Sequence, residues 1–201
     1  MKHLLSLLAI VLFTTSAQAQ SDHPTVQAIN ETMRTERSLA ADFVQVYDDG
    51  SRATGQIYIQ RPGKMRFDYA SKQAPVVVMS SGSVSIFENS KDWTPEVYPT
   101  RTTPLYHLLH RNADIYKSKG LKRITFSGNY ALAHYEDEKH PDAGKLVLKF
   151  DRTKNHELVG WTSYPQNGEV VEVTLKNVRK NPKLDRNIFD RDKIAEQHKG
   201  R

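Results

Sequence analysis

The sequence contains no cysteine. Disulfides, thiolate metal sites and cysteine nucleophiles are therefore excluded, and stability must come from burial. Phosphate-cradling loops are missing as well. There is no GxxxxGK(S/T) and no GxGxxG, so nucleotide binding has no support. The GxSxG elbow of α/β-hydrolases is also absent. No internal repeat and no low-complexity tract occurs. Only one apolar run stands out, at residues 4–13, and it is too short to span a bilayer. Charge of one sign does not dominate: 29 Lys and Arg face 23 Asp and Glu, a formal net charge of +6. The acidic residues are interspersed with the basic ones, which argues against a nucleic-acid face. Mild basicity of this kind suits a solvated surface, and could help docking at an acidic partner or an anionic membrane.

The N-terminus reads as a signal peptide over residues 1–19. Lys2 supplies the positive start, Leu4 to Phe13 the apolar core, and Ala17-Gln18-Ala19 the small-x-small cleavage site. The mature chain is expected to begin at Gln20, exported and soluble. No cysteine follows the apolar run, so no lipid anchor of its own is expected. Residues 20–201 suit a single domain with a sizeable core.

The stretch from Gly55 to Tyr69 organises what remains. Ile57 and Ile59 alternate with Gln56, Tyr58 and Gln60, and Met65, Phe67 and Tyr69 alternate with Arg66 and Asp68. A period of two in β-branched and aromatic residues marks half-buried strands. Pro62-Gly63 between them reads as a type II turn, proline setting φ and glycine supplying φ > 0. Arg61 falls in step with Ile57 and Ile59. It should point to the face they bury, where a guanidinium needs an acceptor.

Around this pair, Thr25–Glu36 reads as a helix, with Val26, Ile29 and Met33 on one stripe and Pro24 in the first turn. A strand follows from Ala41 to Tyr47, ended by Asp48-Asp49-Gly50. Strands at 76–79 and 84–87 flank Ser80-Ser81-Gly82. Pro95, Pro99 and Pro104 rule out a regular central strand within 91–119. Thr103 to Arg111 reads as a short helix with Thr103 as N-cap, Pro104 at the first position, and Leu105, Leu108 and Leu109 on one face. Two turns are marginal alone, so this helix must pack on the sheet or its mouth. Strands resume at 122–127, 130–135, 145–151 and 158–164. A hairpin at Gln166-Asn167-Gly168 leads to a last strand at 169–178. The basic tail carries one apolar pair, Ile188-Phe189, as a tether.

Candidates for chemistry are weak. His107 and His110, with Asp114, have spacing that metal pairs use, but they flank an apolar face and read as solvent-exposed histidines. Glu136-Asp137-Glu138 with Asp142 lacks a calcium-loop pattern and reads as a hairpin tip. Asp42, Asp68 and Glu88 could be offered as paired carboxylates, with nothing to bring them together. Trp93 and Trp161 read as core. Two architectures fit this periodicity: a packed sandwich, or a curved sheet whose concave face holds an apolar ligand.

Phe43-Val44-Gln45, then Gly55 to Tyr69 with Arg61-Pro62 at its centre, then Ser81-Gly82, Thr103-Pro104-Leu105 to Leu109, and Val173 to Val178 together resemble the periplasmic outer-membrane lipoprotein carrier family. The likeness spans most of residues 24–190. It implies a mainly β (α+β) fold: an incomplete, half-open antiparallel β-barrel of about eleven strands. An N-terminal helix and short mid-chain helices would form a lid over an apolar cavity. By the same resemblance, Phe43, Ile57, Ile59, Met65, Phe67, Pro104, Leu105, Leu108 and Leu109 belong to the cavity and lid, with Met65 at the mouth. Arg61 would latch the lid through its backbone carbonyls. Methionine keeps the apolar character of that mouth position without its usual ring.

The implied role is that of a carrier, not an enzyme, with no cofactor and no metal. It would be a monomer in the periplasm of a Gram-negative bacterium. It would take acylated lipoproteins from an inner-membrane ABC transporter and deliver them to an outer-membrane lipoprotein receptor. An alternative within the fold is a periplasmic binder or sensor of another lipid or glycolipid. An acyl esterase is the reading from a different class, disfavoured by the missing nucleophile motif.

Overall fold

β1 (Ser38–Tyr47) is the strand on which the two halves of the sheet meet. It pairs antiparallel with β2 (Arg52–Gln60) on one side and with β11 (Val171–Lys180) on the other. The computed structural model describes residues 23–88, 94–110, 115, 118, 120–166 and 168–198. The cleavage site, Trp93, Asp114 and Asn167 lie outside the described residues. Beyond β2 the sheet continues through β3 (Lys64–Tyr69), β4 (Val76–Ser80), β5 (Ser83–Phe87) and β6 (Glu96–Pro99). Beyond β11 it runs through β10 (Glu157–Tyr164), β9 (Lys145–Asp151), β8 (Tyr130–Glu136) and β7 (Leu121–Ser127). Eleven antiparallel strands thus form one sheet with free edges at β6 and β7, so the barrel is not closed.

The sheet curls. Phe67 on β3 and Trp161 on β10 have ring centroids 6.4 Å apart. Four inter-strand steps separate those strands, which on a flat sheet is ~19 Å. Two side chains cannot span that gap without curvature. Register breaks accompany the bend, at Ala40/Asp42 in β1 and at Leu158/Gly160 in β10. Glycine is required at two of the tightest approaches. A Cβ on Gly55 would meet the Asp68 carbonyl oxygen at 2.1 Å, and one on Gly160 the Val173 carbonyl oxygen at 2.2 Å.

Inside the curl the alternating residues form one apolar core. Phe43, Ile57, Ile59, Met65 and Phe67 come from one half, and Leu146, Leu148, Phe150, Trp161 and Val173 from the other. Helix α1 (Pro24–Thr35) joins them through Val26, Ile29 and Met33, the stripe expected from sequence. Pro24 stands in its first turn and the His23 ring caps it, Nδ1 accepting from the Thr25 amide at 3.1 Å. The edge strands β6 and β7 are consecutive in sequence, so the connection between them must cross from one free edge to the other. Helix α2 (Tyr106–Leu109) sits on that crossing.

Helix α2 is shorter than expected, and its cap differs. The Thr103 hydroxyl does not cap it. It donates back to the Thr100 carbonyl at 2.9 Å, closing a 3-10 turn at Thr100–Thr102. The following bonds, from the Tyr106 amide to the Thr103 carbonyl and from His107 to Pro104, also span three residues. The α-helix begins only after them. At the C-terminus, Phe189 is buried as the expected tether, and a helix follows it, α3 (Arg191–His198), that the sequence pattern did not signal. Its Ile194 packs with Val78 and Phe87 on the outer face of the sheet.

Candidate functional site

The β2–β3 turn places Arg61 inside the curl. Its peptide bond to Pro62 is cis, and Gly63 takes the positive φ expected of it, 76°. Arg61 is only 8 % exposed, on the face of Ile57 and Ile59 as its phase requires. Its Nε donates to the Glu36 carbonyl at 3.1 Å, its Nη2 donates to the same oxygen, and Nη1 meets Met33 Sδ at 3.0 Å. Both partners belong to the C-terminal end of α1, where Glu36 is the cap residue. The acceptor is thus a single carbonyl plus a thioether, not two carbonyls. Burial lowers the guanidinium pKa to about 10, and Glu36 opposes that shift. The group is therefore charged at neutral pH.

Two further side chains hold the same end of α1. Asn181, with a left-handed φ of 50°, accepts from the Arg37 amide at 2.8 Å and donates to the Thr35 carbonyl at 3.2 Å. The Glu36 carboxylate pairs with Lys180 at 2.9 Å, and Lys180 also reaches Glu157 at 3.5 Å. Sequence reasoning missed this cluster. Its one local signal is an asparagine just past a strand, where left-handed backbone is tolerated.

Helix α2 closes the mouth from the other direction. Its Leu108 and Leu109 are 1 % and 3 % exposed, Pro104 is buried, and half-buried Leu105 packs on the same core. The Gly63 amide donates to the Leu109 carbonyl at 2.9 Å, tying the helix to the β2–β3 turn. On the far side the His107 ring stacks on Tyr135 of β8 at 5.4 Å. Contrary to the expectation of a surface histidine, His107 is 8 % exposed and burial lowers its pKa; His110 is half-buried. The ring lies so close to Gly120 that a Cβ there would stand 2.4 Å from it. The Asn30 side chain of α1 accepts from the Ile115 amide at 2.8 Å, tying α1 to the segment that follows α2.

The residues expected at the cavity therefore converge. Phe43 meets Phe67 and Tyr69 edge-on at 5.4 and 5.2 Å, and the Tyr69 hydroxyl donates to Gln45 at 3.1 Å. Burial raises the Tyr69 pKa to about 12, so the phenol stays neutral. Met65 differs in position. Rather than standing at the mouth it is fully buried, opposite Ile59 and Met79 in the sheet. Its neighbour Lys64 takes the mouth and lines a cleft of about 670 Å³ with Pro62, Gly63, Arg101, Tyr106 and Leu109. The carboxylates offered as a pair are apart in role: Asp68 holds Arg66 at 2.6 Å and Asp42 accepts from Asn177 at 2.7 Å.

An apolar curl with free sheet edges, covered by two helices and holding a buried arginine, defines the class: an open antiparallel barrel with helices over its apolar face. The chain belongs to the outer membrane lipoprotein carrier protein LolA family, whose description matches residues 34–192. An outer-membrane lipoprotein carrier protein of Legionella pneumophila (strain Corby) is 23% identical over 205 residues, covering 92% of each chain. One from Methylococcus capsulatus is 40% identical over 57 residues, 26% of this chain and 27% of that one. Among solved structures, a putative outer membrane lipoprotein-sorting protein domain from Vibrio parahaemolyticus superposes with a TM-score of 0.53. It is 10% identical, with 84% of this chain and 97% of that one covered. Among the described residues no helix is long and apolar enough to cross a membrane.

Proposed function

We propose that this protein is a periplasmic carrier that shields the acyl chains of lipoproteins between the two membranes. The need is physical. At ~0.8 kcal/mol per buried methylene, three chains of roughly fifteen carbons would cost tens of kcal/mol to expose to water. A curled sheet with an apolar inner face supplies the shield. The observation that carries the reading is Arg61, a buried cation on a neutral carbonyl at the end of α1, inside that curl. Such a bond holds a helix shut without filling the space with chemistry. No nucleophile or nucleotide motif accompanies it, so the role is transfer and not catalysis.

In this reading Phe43, Ile57, Ile59, Met65 and Phe67 contact the chains after α1 and α2 swing aside, and Pro104, Leu105, Leu108 and Leu109 form part of the lid. In the closed form described above these side chains pack on one another. Cargo must therefore compete with closure, which keeps affinity low enough for release. Loading needs energy that the chain cannot supply, which points to an inner-membrane ABC transporter as donor. An outer-membrane lipoprotein receptor is the acceptor, and the carrier acts as a monomer cut after Ala19. Incubating the purified protein with spheroplasts tests the reading. Newly made lipoproteins are expected in the soluble fraction, bound to it; a folded protein that releases none overturns the proposal.

A further inference from the structure

The cleft at the mouth is lined by basic side chains. Lys64, Arg101, His110 and His140 line it, and among the described residues no aspartate or glutamate does. Several cations elsewhere are paired: Lys122 with Glu138, Lys145 with Glu136, Arg66 with Asp68 and Lys180 with Glu36. Among the described residues Lys64 and Arg101 make no ion pair. The Lys64 ammonium lies 5.7 Å from the Phe189 ring centroid, and on that side Lys64 also lines a second cleft with Asp190 and Asp192. Thr100 also lines the cleft. It is 6 % exposed, and its hydroxyl oxygen is buried without a hydrogen-bond partner. A buried hydroxyl left unpaired is costly unless a ligand completes it.

The floor of the same cleft is partly apolar and abuts the packed interior. Leu109 lines the cleft and belongs to the common core, and Pro62 follows directly on the buried Arg61. A volume of about 670 Å³ is that of a small-molecule site, within the usual range of about 300–1,000 Å³. A cationic rim beside an apolar floor fits a ligand with an anionic head and apolar tails, better than it fits an acidic peptide.

We propose that this cleft is a headgroup site for an anionic phospholipid: Lys64 and Arg101 hold the phosphodiester, and the acyl chains pass beneath α2 into the curl. The inference rests on the acyl-carrier reading and adds the class of headgroup. Arginine and lysine bind phosphate through charge-assisted hydrogen bonds, and apolar contact of the tails is why a free phosphate would bind more weakly.

The test is calorimetric titration of the purified mature protein with dihexanoyl phosphatidylglycerol and dihexanoyl phosphatidylcholine, each below its micelle concentration. The anionic lipid is expected to bind roughly tenfold more tightly at low salt, and the preference to shrink as salt rises. The Lys64→Gln/Arg101→Gln double variant should keep its fold by circular dichroism and bind both lipids alike. Thr100→Val should weaken the anionic lipid alone. Glycerol phosphate is expected to bind more weakly than either lipid. Equal affinity of the native protein for both lipids overturns the headgroup site and leaves the carrier reading standing. A preference that survives the double variant also overturns it. If hexaglutamate binds through Lys64 and Arg101 while the lipids show no preference, the cleft is a protein-docking face. Binding of neither lipid by a folded protein overturns the carrier reading and this inference together.

Discussion

In the proposed function, Arg61 is the residue on which closure turns. A hydrogen bond from a charged group is worth about 1.5–3 kcal/mol, enough to bias an open–closed equilibrium about tenfold or more. Arg61→Leu removes the donors and leaves an apolar side chain against Met33. Cargo capture is expected to survive and transfer to the receptor to fall, scored as two separate steps. Arg61→Lys should rescue poorly. An ammonium can meet the Glu36 oxygen, but cannot place two donors on it while keeping Met33 packed. Normal transfer by a folded Arg61→Leu protein would remove the latch from the mechanism. The inward phase of Arg61 was legible in sequence, because period two is local. Its acceptor was not, because Glu36 lies 25 residues away and a carbonyl leaves no mark in composition. His107 makes the second prediction at this scale. Burial lowers its folded pKa below the ordinary 6.5, so the unfolded chain binds the proton more readily. Its contribution is fully present above pH 6.5 and is lost as pH falls toward the folded value. Urea midpoints measured between pH 7.5 and 5 should decline less steeply in His107→Phe, which keeps the stack on Tyr135. An unchanged slope would show that the ring is protonated without cost.

The elements differ in how their stability is supplied, and so in how well the sequence announced them. Helix α1 was legible because Val26, Ile29 and Met33 repeat at helical spacing and are all buried. The strands were legible because most alternate; β6 was not, since its prolines excluded a regular central strand and it forms as an exposed edge. Helix α3 was not. Its sequence holds Ile194 and Ala195 among charged residues, too little for a stripe, and docking on Val78 and Phe87 specifies it. Ile194→Ala should therefore cost about 2–5 kcal/mol in chemical denaturation, the usual cost of truncating a buried core residue. Because this contact lies on the outer face, acyl-chain binding should not change. A loss of binding in that variant would mean that the outer face communicates with the interior. Helix α2 was placed correctly but capped wrongly, since the Thr103 hydroxyl has a nearer carbonyl at Thr100. A single α-helical turn lies below the length that is stable in isolation, so burial of Leu108 and Leu109 must hold it. Native-state hydrogen exchange should find the Leu108 and Leu109 amides opening at a lower free energy than those of Phe43 to Gln45 in β1. Equal protection would make α2 part of the cooperative core and remove it as a lid.

At the scale of the molecule, topology explains why a carrier can both hold and release. β1 and β11 join the two halves of the sheet, while β6 and β7 stand at its opposite edges and are linked in sequence by the segment that carries α2. The sheet can thus stay intact while its mouth changes. Helix α1 is fixed at one end by Arg61 and Asn181 and touches the far segment through Asn30. Motion of either helix exposes the same core, because Met33 and Leu109 belong to it together. In the closed form the curl is occupied by its own side chains, so an acyl chain has no entry until the helices move. Binding must then follow a rate law set by opening. With a fluorescent fatty acid in stopped flow, the observed rate for the native protein should rise with ligand and reach a plateau at the opening rate. In Arg61→Leu the latch is weaker, so the plateau should be higher, while the initial slope changes through the larger open fraction. A rate that climbs linearly in the native protein, with no plateau and no effect of Arg61→Leu, would mean that ligand enters a cavity already open. The two helices would then be fixed walls of a binding site, and release would have to come from the partner alone.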